Sequence, residues 1–452
     1  MVGWLLPVSI FSKTFTNVVF ENFAQLPVIF LFFFLLARLN SDPSLVMDIL
    51  PRKKTIAIIL LFVTFQIFLM LRQAFLHGDS YLGFGFAHGL ATFFQVVLAI
   101  LLAYSVQTVF IRKTEDVFMF LNSLLYTLAF YLLLVVLPQI VVSFGGDLTK
   151  WVNTMASFFE RRWQGRSWYE DGSYAATLHR VNGFEPEAPF LVMLLGLVFS
   201  PILISVIQEH TDNFRWLKKF KAFAWPLLLA VMVVLLTAKA TSGFLMFLFL
   251  AIFLIIFAPK NSRKKIFQIL VIAGSLMLVL YISVPGYREI VSQWLLKKQG
   301  TDNRLGGTIG LWESFIHHPI LGVGFGNEGI YIHQFLPDWS KHNSEYINVY
   351  SKVSYPILND FLGWLARFGV VFVGLFIYFI IRLWLRTVTI YKEIFGDTSA
   401  AVVTRIALRS FIMFVPLVGL FSLITQINAS SWPMLLIIFF YWRVISITES
   451  QK

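Results

Sequence analysis

Long apolar runs alternate with short polar ones along most of this chain, and two polar stretches interrupt the rhythm. Crossing the ~30 Å hydrocarbon core of a bilayer takes roughly 20 helical residues. Apolar blocks of about that length fall near 20–38, 55–72, 84–111, 117–143, 188–208, 224–238, 241–258, 266–284, 362–386, 405–425 and 432–448. The pattern predicts an all-α polytopic integral membrane protein with eleven spans. The segment before Glu21 is apolar but short, and reads as a twelfth span or as an interfacial helix, so the side of the N-terminus stays open. The chain divides into N-terminal helices (1–143), a first large loop (144–187), central helices (188–284), a second large loop (285–361) and C-terminal helices (362–452).

Composition agrees: 58% of the 452 residues are hydrophobic and 13% charged, far more apolar than a soluble domain needs. Lys and Arg gather at 51–54, 112–113, 215–221 and 260–265, all on one side when the spans alternate. By the positive-inside rule that side is cytoplasmic. Both large loops then lie outside, which in a bacterium means the periplasm or the cell exterior. The mixed-sign stretch 386–398 is a solvated connector on the inner side. Basic flanks also explain much of the net charge of +12, and no basic run is long enough for nucleic acid. The absence of cysteine excludes disulfides, thiolate catalysis and Cys-based metal sites. The N-terminus lacks a basic region and a small-residue cleavage site, so a removable signal peptide is not expected.

In the first loop, aromatic and apolar residues recur at helical spacing over 150–163, predicting an amphipathic helix on the outer leaflet that accounts for Arg161, Arg162 and Arg166. RVNGFEPE at 180–187 follows, placing Arg180 near the membrane on a short turn in which Gly183 permits a bend and Pro186 can start a helix. In the second loop, NRLGGTIGLWESFIHHPILGVGFG at 303–326 is polar and Gly-rich. It predicts a short helix after Arg304 that ends at His317-His318-Pro319, because a residue before proline avoids the α region. His318 is expected to cap or pack that helix, and His317 to be solvated. Residues 324–329 match GxGxxG, but no strand–turn–helix unit surrounds them and a dinucleotide site is rejected. These glycines let backbone approach a ligand or a neighbouring helix. Lys239, in the tight hairpin between two spans, reads as a snorkelling lysine or as a charge facing an anionic lipid head group.

Arg304, then Leu311-Trp312-Glu313-Ser314, HPILGVGFG at 318–326 and NDFLGWLARFGVV at 359–371 resemble the C-terminal signature of the O-antigen polymerase and ligase superfamily. RVNGFEPE is similar to that family's other external motif, and TAKATSG at 237–243 to its interfacial hairpin. The resemblance implies a GT-C-like fold of 11–12 transmembrane helices with two large periplasmic loops, in the bacterial inner membrane. It also implies a metal-independent glycosyltransferase without cofactors, which moves glycan from undecaprenyl pyrophosphate to an acceptor hydroxyl. Its partners would be an undecaprenyl-pyrophosphate-linked oligosaccharide, membrane lipids and a chain-length regulator protein. Asn359 and Lys239 are substrate-binding candidates, and the external aromatics Trp168, Tyr169, Tyr174, Trp312 and Tyr331 are candidates either for stacking on sugars or for ordinary packing. In one respect the chain departs from the family. The ligases carry a His before the residue matching Asn359, as the expected base, and here that position is Leu358.

The chemistry agrees with these residues. Breaking a sugar–pyrophosphate bond without a metal requires charge on the leaving group to be stabilised, and a guanidinium fork matches phosphate oxygens. Arg180 and Arg304 are the candidates. The acceptor hydroxyl needs a general base, and His342, Glu185 and Asp360 all qualify. A base facing the arginines across the anomeric carbon implies inversion. A polymerase is the favoured reading. A ligase transferring glycan to lipid A–core is the alternative, and a lipid-linked polysaccharide transporter or flippase ranks below both, because the spans carry few ionisable residues at mid-depth.

Overall fold

The computed structural model describes residues 1–12, 25–78, 80–81, 84–163, 166–209, 213–258 and 301–451, with scattered positions between 263 and 292. Among the described residues, eight helices are long and apolar enough to cross a membrane: Lys53–His77, Phe86–Phe110, Thr114–Ser143, Ala188–Ile207, Arg215–Thr237, Asp360–Glu393, Ser399–Ile424 and Trp432–Ser450. Among the described residues, strand is confined to a two-residue antiparallel pair, Ser80–Tyr81 with Phe84–Gly85. Two further expected spans appear as shorter apolar helices, Pro27–Ser41 and Thr241–Ile256. The expected span at 266–284 lies outside the continuously described residues.

Helix Ala188–Ile207 is the centre of the bundle, almost entirely buried, whereas Lys53–His77 and Asp360–Glu393 expose most of their apolar surface. In a water-soluble protein that distribution would be unstable; large contiguous apolar faces of this kind belong against lipid. The central helix is anchored at one end by a buried acid. Glu209 pairs with Arg405 at 2.9 Å and with Arg409 at 3.4 Å, and Arg409 also donates to the Tyr391 hydroxyl at 2.6 Å. Pairing of this kind is what makes a buried carboxylate tolerable.

The N-terminal segment packs inside the bundle. Met1 and Val2 line one crevice with Arg38, Arg112 and Lys113, Leu5, Leu6 and Ile10 are fully buried, and Phe11 meets Tyr131 and Phe184 edge-on. Residues 1–12 therefore run from the basic-cluster end of the bundle toward the 180–187 turn, and the rest of the expected segment lies outside the described residues.

Helix Asp360–Glu393 would be about 51 Å long if straight, at 1.5 Å per residue, which exceeds the ~30 Å apolar core. It is broken at Gly369, whose φ of 68° and ψ of 175° are not helical. Residues 319–324 of the Gly-rich stretch pair with the break. Val323 N donates to Ala366 O at 2.8 Å, Gly324 N to Arg367 O at 2.9 Å and Val370 N to Pro319 O at 2.7 Å. The helical groups orphaned by the kink are thus satisfied by a loop from the preceding segment. The expected approach of the glycines to a neighbouring helix is what the structure contains.

Candidate functional site

The turn at 180–187 is built on the helix Thr114–Ser143. Gln139 accepts from Asn182 N at 3.2 Å and Gly183 N at 2.7 Å, and donates to Gly183 O at 2.8 Å. The Tyr131 hydroxyl accepts from Phe184 N at 2.9 Å. Buried Glu160 accepts from Asn182 Nδ2 and Tyr174 N, both at 3.0 Å, and from Arg162 Nε at 3.0 Å. Burial holds the Glu160 carboxyl above its ordinary range, partly offset by those donors. Gly183 has φ +61°, and a Cβ there would lie 2.1 Å from the Tyr131 oxygen. Gly183→Ala is therefore expected to cost about 1–3 kcal/mol of local stability, read as faster proteolysis of the 160–187 loop and a lower Tm. An unchanged protease pattern would argue against the turn's dependence on this glycine.

Arg180 lies at the start of this turn, its guanidinium 5.7 Å from the Tyr174 ring centre. Burial pushes the Tyr174 hydroxyl up to about 12, with Arg180 opposing, so it remains a neutral partner. Lys239 turns inward to the same place. It donates to His179 O at 2.7 Å and Ser143 O at 3.3 Å, and burial, then the nearby Arg180, lowers its pKa. The snorkelling and lipid-facing readings give way to a tether that adds positive potential beside Arg180.

Arg304 sits in the helix Thr301–His317, which begins earlier than expected and ends at the expected proline boundary. Its Nη1 donates to the Thr425 hydroxyl at 3.4 Å. Thr425 opens the short linker 425–431 between the last two helices, and that linker joins the parts of the site. Asp360 N donates to Thr425 O at 3.3 Å, and Asp360 Oδ2 accepts from Ile427 N at 2.7 Å. Ile427, Asn428 and Ser431 in turn line a narrow crevice with Glu185. Arg304, Asp360, the linker and Glu185 thus form one contiguous set, and Glu185 is five residues from Arg180 in a turn fixed on all sides.

The other expected residues are distributed differently. Asn359 is engaged at both ends of its amide, accepting from Leu362 N at 3.0 Å and donating to Leu423 O at 2.7 Å, so it caps one helix start and one helix end. His342 is exposed at the end of Asp338–His342, and among the described residues no hydrogen bond or ion pair joins it to Arg304, Glu185 or Asp360. Trp312 is exposed on the Arg304 helix. Tyr331 is buried, donates to Gln73 Oε1 at 2.9 Å and packs against His77 and His318. His318 does pack, as expected, and burial, then Arg72 and His317, lower its pKa, keeping it neutral. Leu358 packs beside the small apolar cluster containing Leu311, Ile332 and Tyr355.

The arginines assigned to a surface helix are reassigned. Helix Thr149–Phe159 stops short of them. Arg162 pairs with Glu160 and donates to Gly172 O at 2.6 Å, Arg161 is buried near Trp163, and Arg166 reaches across to Glu345 at 3.1 Å.

Sequence reasoning missed the linker 425–431 and the pair Gln66 and Gln73. Both glutamines are buried on one face of Lys53–His77, where Gln66 accepts from Phe325 N at 3.2 Å and Gln73 from Tyr331. Two amides seven residues apart in an otherwise apolar span were a readable signal of a helix face turned to protein. The linker had no comparable signal beyond its polarity.

No protein-family model matches this chain, and no curated protein matches it.

Proposed function

We propose that this protein is a polysaccharide polymerase of the O-antigen type, a metal-independent, GT-C-like glycosyltransferase of the bacterial inner membrane with its site facing the periplasm. It transfers the growing glycan from undecaprenyl pyrophosphate to a sugar hydroxyl of the next lipid-linked repeat unit, with inversion. The observation that supports this reading most is the contiguity of Arg304, Asp360, the 425–431 linker and Glu185 beside the Arg180 turn. Two guanidinium groups on separate, braced segments suit a pyrophosphate leaving group, and Lys239 adds to the potential beside Arg180.

Of the three candidate bases, Glu185 fits best. Glu185 lines the crevice with Asn428 and Ser431, in the same turn as Arg180; Asp360 holds the linker through Ile427 N, and His342 is exposed and apart. Glu185→Gln keeps the shape and removes the basicity. It should lower kcat ~10²–10⁴-fold, while His342→Ala stays within about threefold of wild type, the bound expected for a residue outside the proton path. Equal losses in the two variants would reject Glu185 as base.

The decisive assay incubates purified protein with undecaprenyl-pyrophosphate-linked repeat units alone. A ladder of longer products is expected. Transfer that begins only when lipid A–core is added would make the protein a ligase and overturn the proposal; translocation with no new glycosidic bond would make it a flippase.

A further inference from the structure

An ion pair joins the two large polar segments, and it adjoins a candidate catalytic arginine. Arg166, from the first segment, contacts Glu345, from the second, at 3.1 Å. Its guanidinium also lies 4.6 Å from the Trp168 ring centre and 5.4 Å from that of Tyr350, one aromatic from each segment. Glu345 is used fully. Its Oε1 faces Arg166 and accepts from the Tyr350 hydroxyl at 3.0 Å, and its Oε2 accepts from Asn303 Nδ2 at 2.9 Å. Asn303, buried beside Arg304, exchanges amide hydrogen bonds with Asn343 at 2.9 and 2.7 Å, and its carbonyl accepts from the Tyr355 hydroxyl at 2.8 Å.

Arg166 is a planar cation held between two rings and opposite a carboxylate, largely out of solvent, with 14% of its side chain exposed. This is the setting in which an ion pair has a fixed geometry; exposed pairs are mobile and weak. The first turn of Thr301–His317 has its backbone held by Tyr355 and its Asn303 side chain held through Glu345 to Arg166.

We infer that Arg166 is a positioning residue, the clamp by which the 144–187 segment holds the start of the Thr301–His317 helix and so sets where Arg304 points. The inference deepens the glycosyltransferase reading and rests on it for its catalytic consequence. It does not rest on it for its structural one.

The test uses the full-length protein in detergent or nanodiscs, comparing wild type, Arg166→Ala and the conservative variant Arg166→Lys. Hydrogen–deuterium exchange over 303–310 needs no turnover. Arg166→Ala should accelerate it about tenfold, the factor corresponding to about 1.4 kcal/mol of lost local protection, and Arg166→Lys, which keeps the charge opposite Glu345, should retain part of that protection. In the polymerisation assay, Arg166→Ala should lower kcat by ~10²-fold, the scale of a small displacement of a catalytic group, with KM moving less than the turnover does. Unchanged exchange at 303–310 in Arg166→Ala, or exchange in Arg166→Lys as fast as in Arg166→Ala, overturns the clamp. A loss confined to KM overturns its role in orienting Arg304 and makes Arg166 a substrate contact. Wild-type protein that forms no polymer overturns the proposed function, and the exchange result still decides the clamp.

Discussion

Arg304→Ala should reduce turnover of lipid-linked repeat units by ~10²–10³-fold, the loss that follows removal of one preorganised donor to a developing negative charge. The size of the effect follows from how little else this side chain does. Its hydrogen bond to the Thr425 hydroxyl is long, at 3.4 Å, so truncation removes little packing and should move Tm only slightly. Arg180→Ala should cost a similar factor, through the second donor on the opposite segment, with some added loss because its guanidinium also covers Tyr174. Lysine in place of Arg304 keeps the charge without the planar fork and should fall between wild type and alanine. Rates measured in a single-turnover glycan-transfer assay decide it, and a loss below threefold in either alanine variant would remove that arginine from the reaction.

The largest structural effect is expected at the kink that carries the Gly-rich stretch. Gly369 has φ +68° and a Cβ there would lie 2.3 Å from Ile320 O; Gly322 has φ +71° and its Cβ would lie 2.4 Å from Arg367 O. Both contacts are with backbone, which cannot swing aside as a side chain can. Gly369→Ala or Gly322→Ala therefore combines a left-handed φ, about 1–3 kcal/mol, with displacement of a paired strand of loop. The three backbone hydrogen bonds that close the kink depend on the same approach. Either variant should lose most of its folded yield by size-exclusion chromatography of the detergent extract. Gly374, in the same helix with open space around it, is the control, and its alanine variant should be recovered like wild type. Equal recovery of all three would mean that the close approach is dispensable.

Much of the architecture was legible because lipid imposes a simple rule: backbone must be satisfied within each span, so spans are long apolar helices. The positions of Arg180, Arg304, Glu185 and Asp360 on or beside the polar loops were legible for the same reason, since polar runs stand out in an apolar chain. What failed to be legible was where long polar side chains turn. Lys239 looked like a surface lysine and Arg166 part of an amphipathic helix, yet both point inward, to the His179 and Ser143 carbonyls and to Glu345 respectively. Asn359 and Tyr331 looked like ligand contacts, but one caps two helices and the other fills a buried hydrogen bond. Each of these outcomes depends on a partner 60 or more residues away, except for the local half of the Asn359 cap.

By itself, the sequence determined the class of the molecule, its apolar helices, the boundary at His318-Pro319 and the polar stretches in which chemistry has to be sought. Those are local properties, set by hydropathy over about 20 residues and by the backbone limits of proline and glycine. Tertiary structure alone decided that Asp360–Glu393 breaks at Gly369 around a loop, and that the unremarked linker 425–431 joins Arg304, Asp360 and Glu185. Bringing those groups together takes contacts spanning 67 to 121 residues between Asp360 and Ile427 and between Arg304 and Thr425, and no local pattern encodes which distant carbonyl or hydroxyl a side chain will meet.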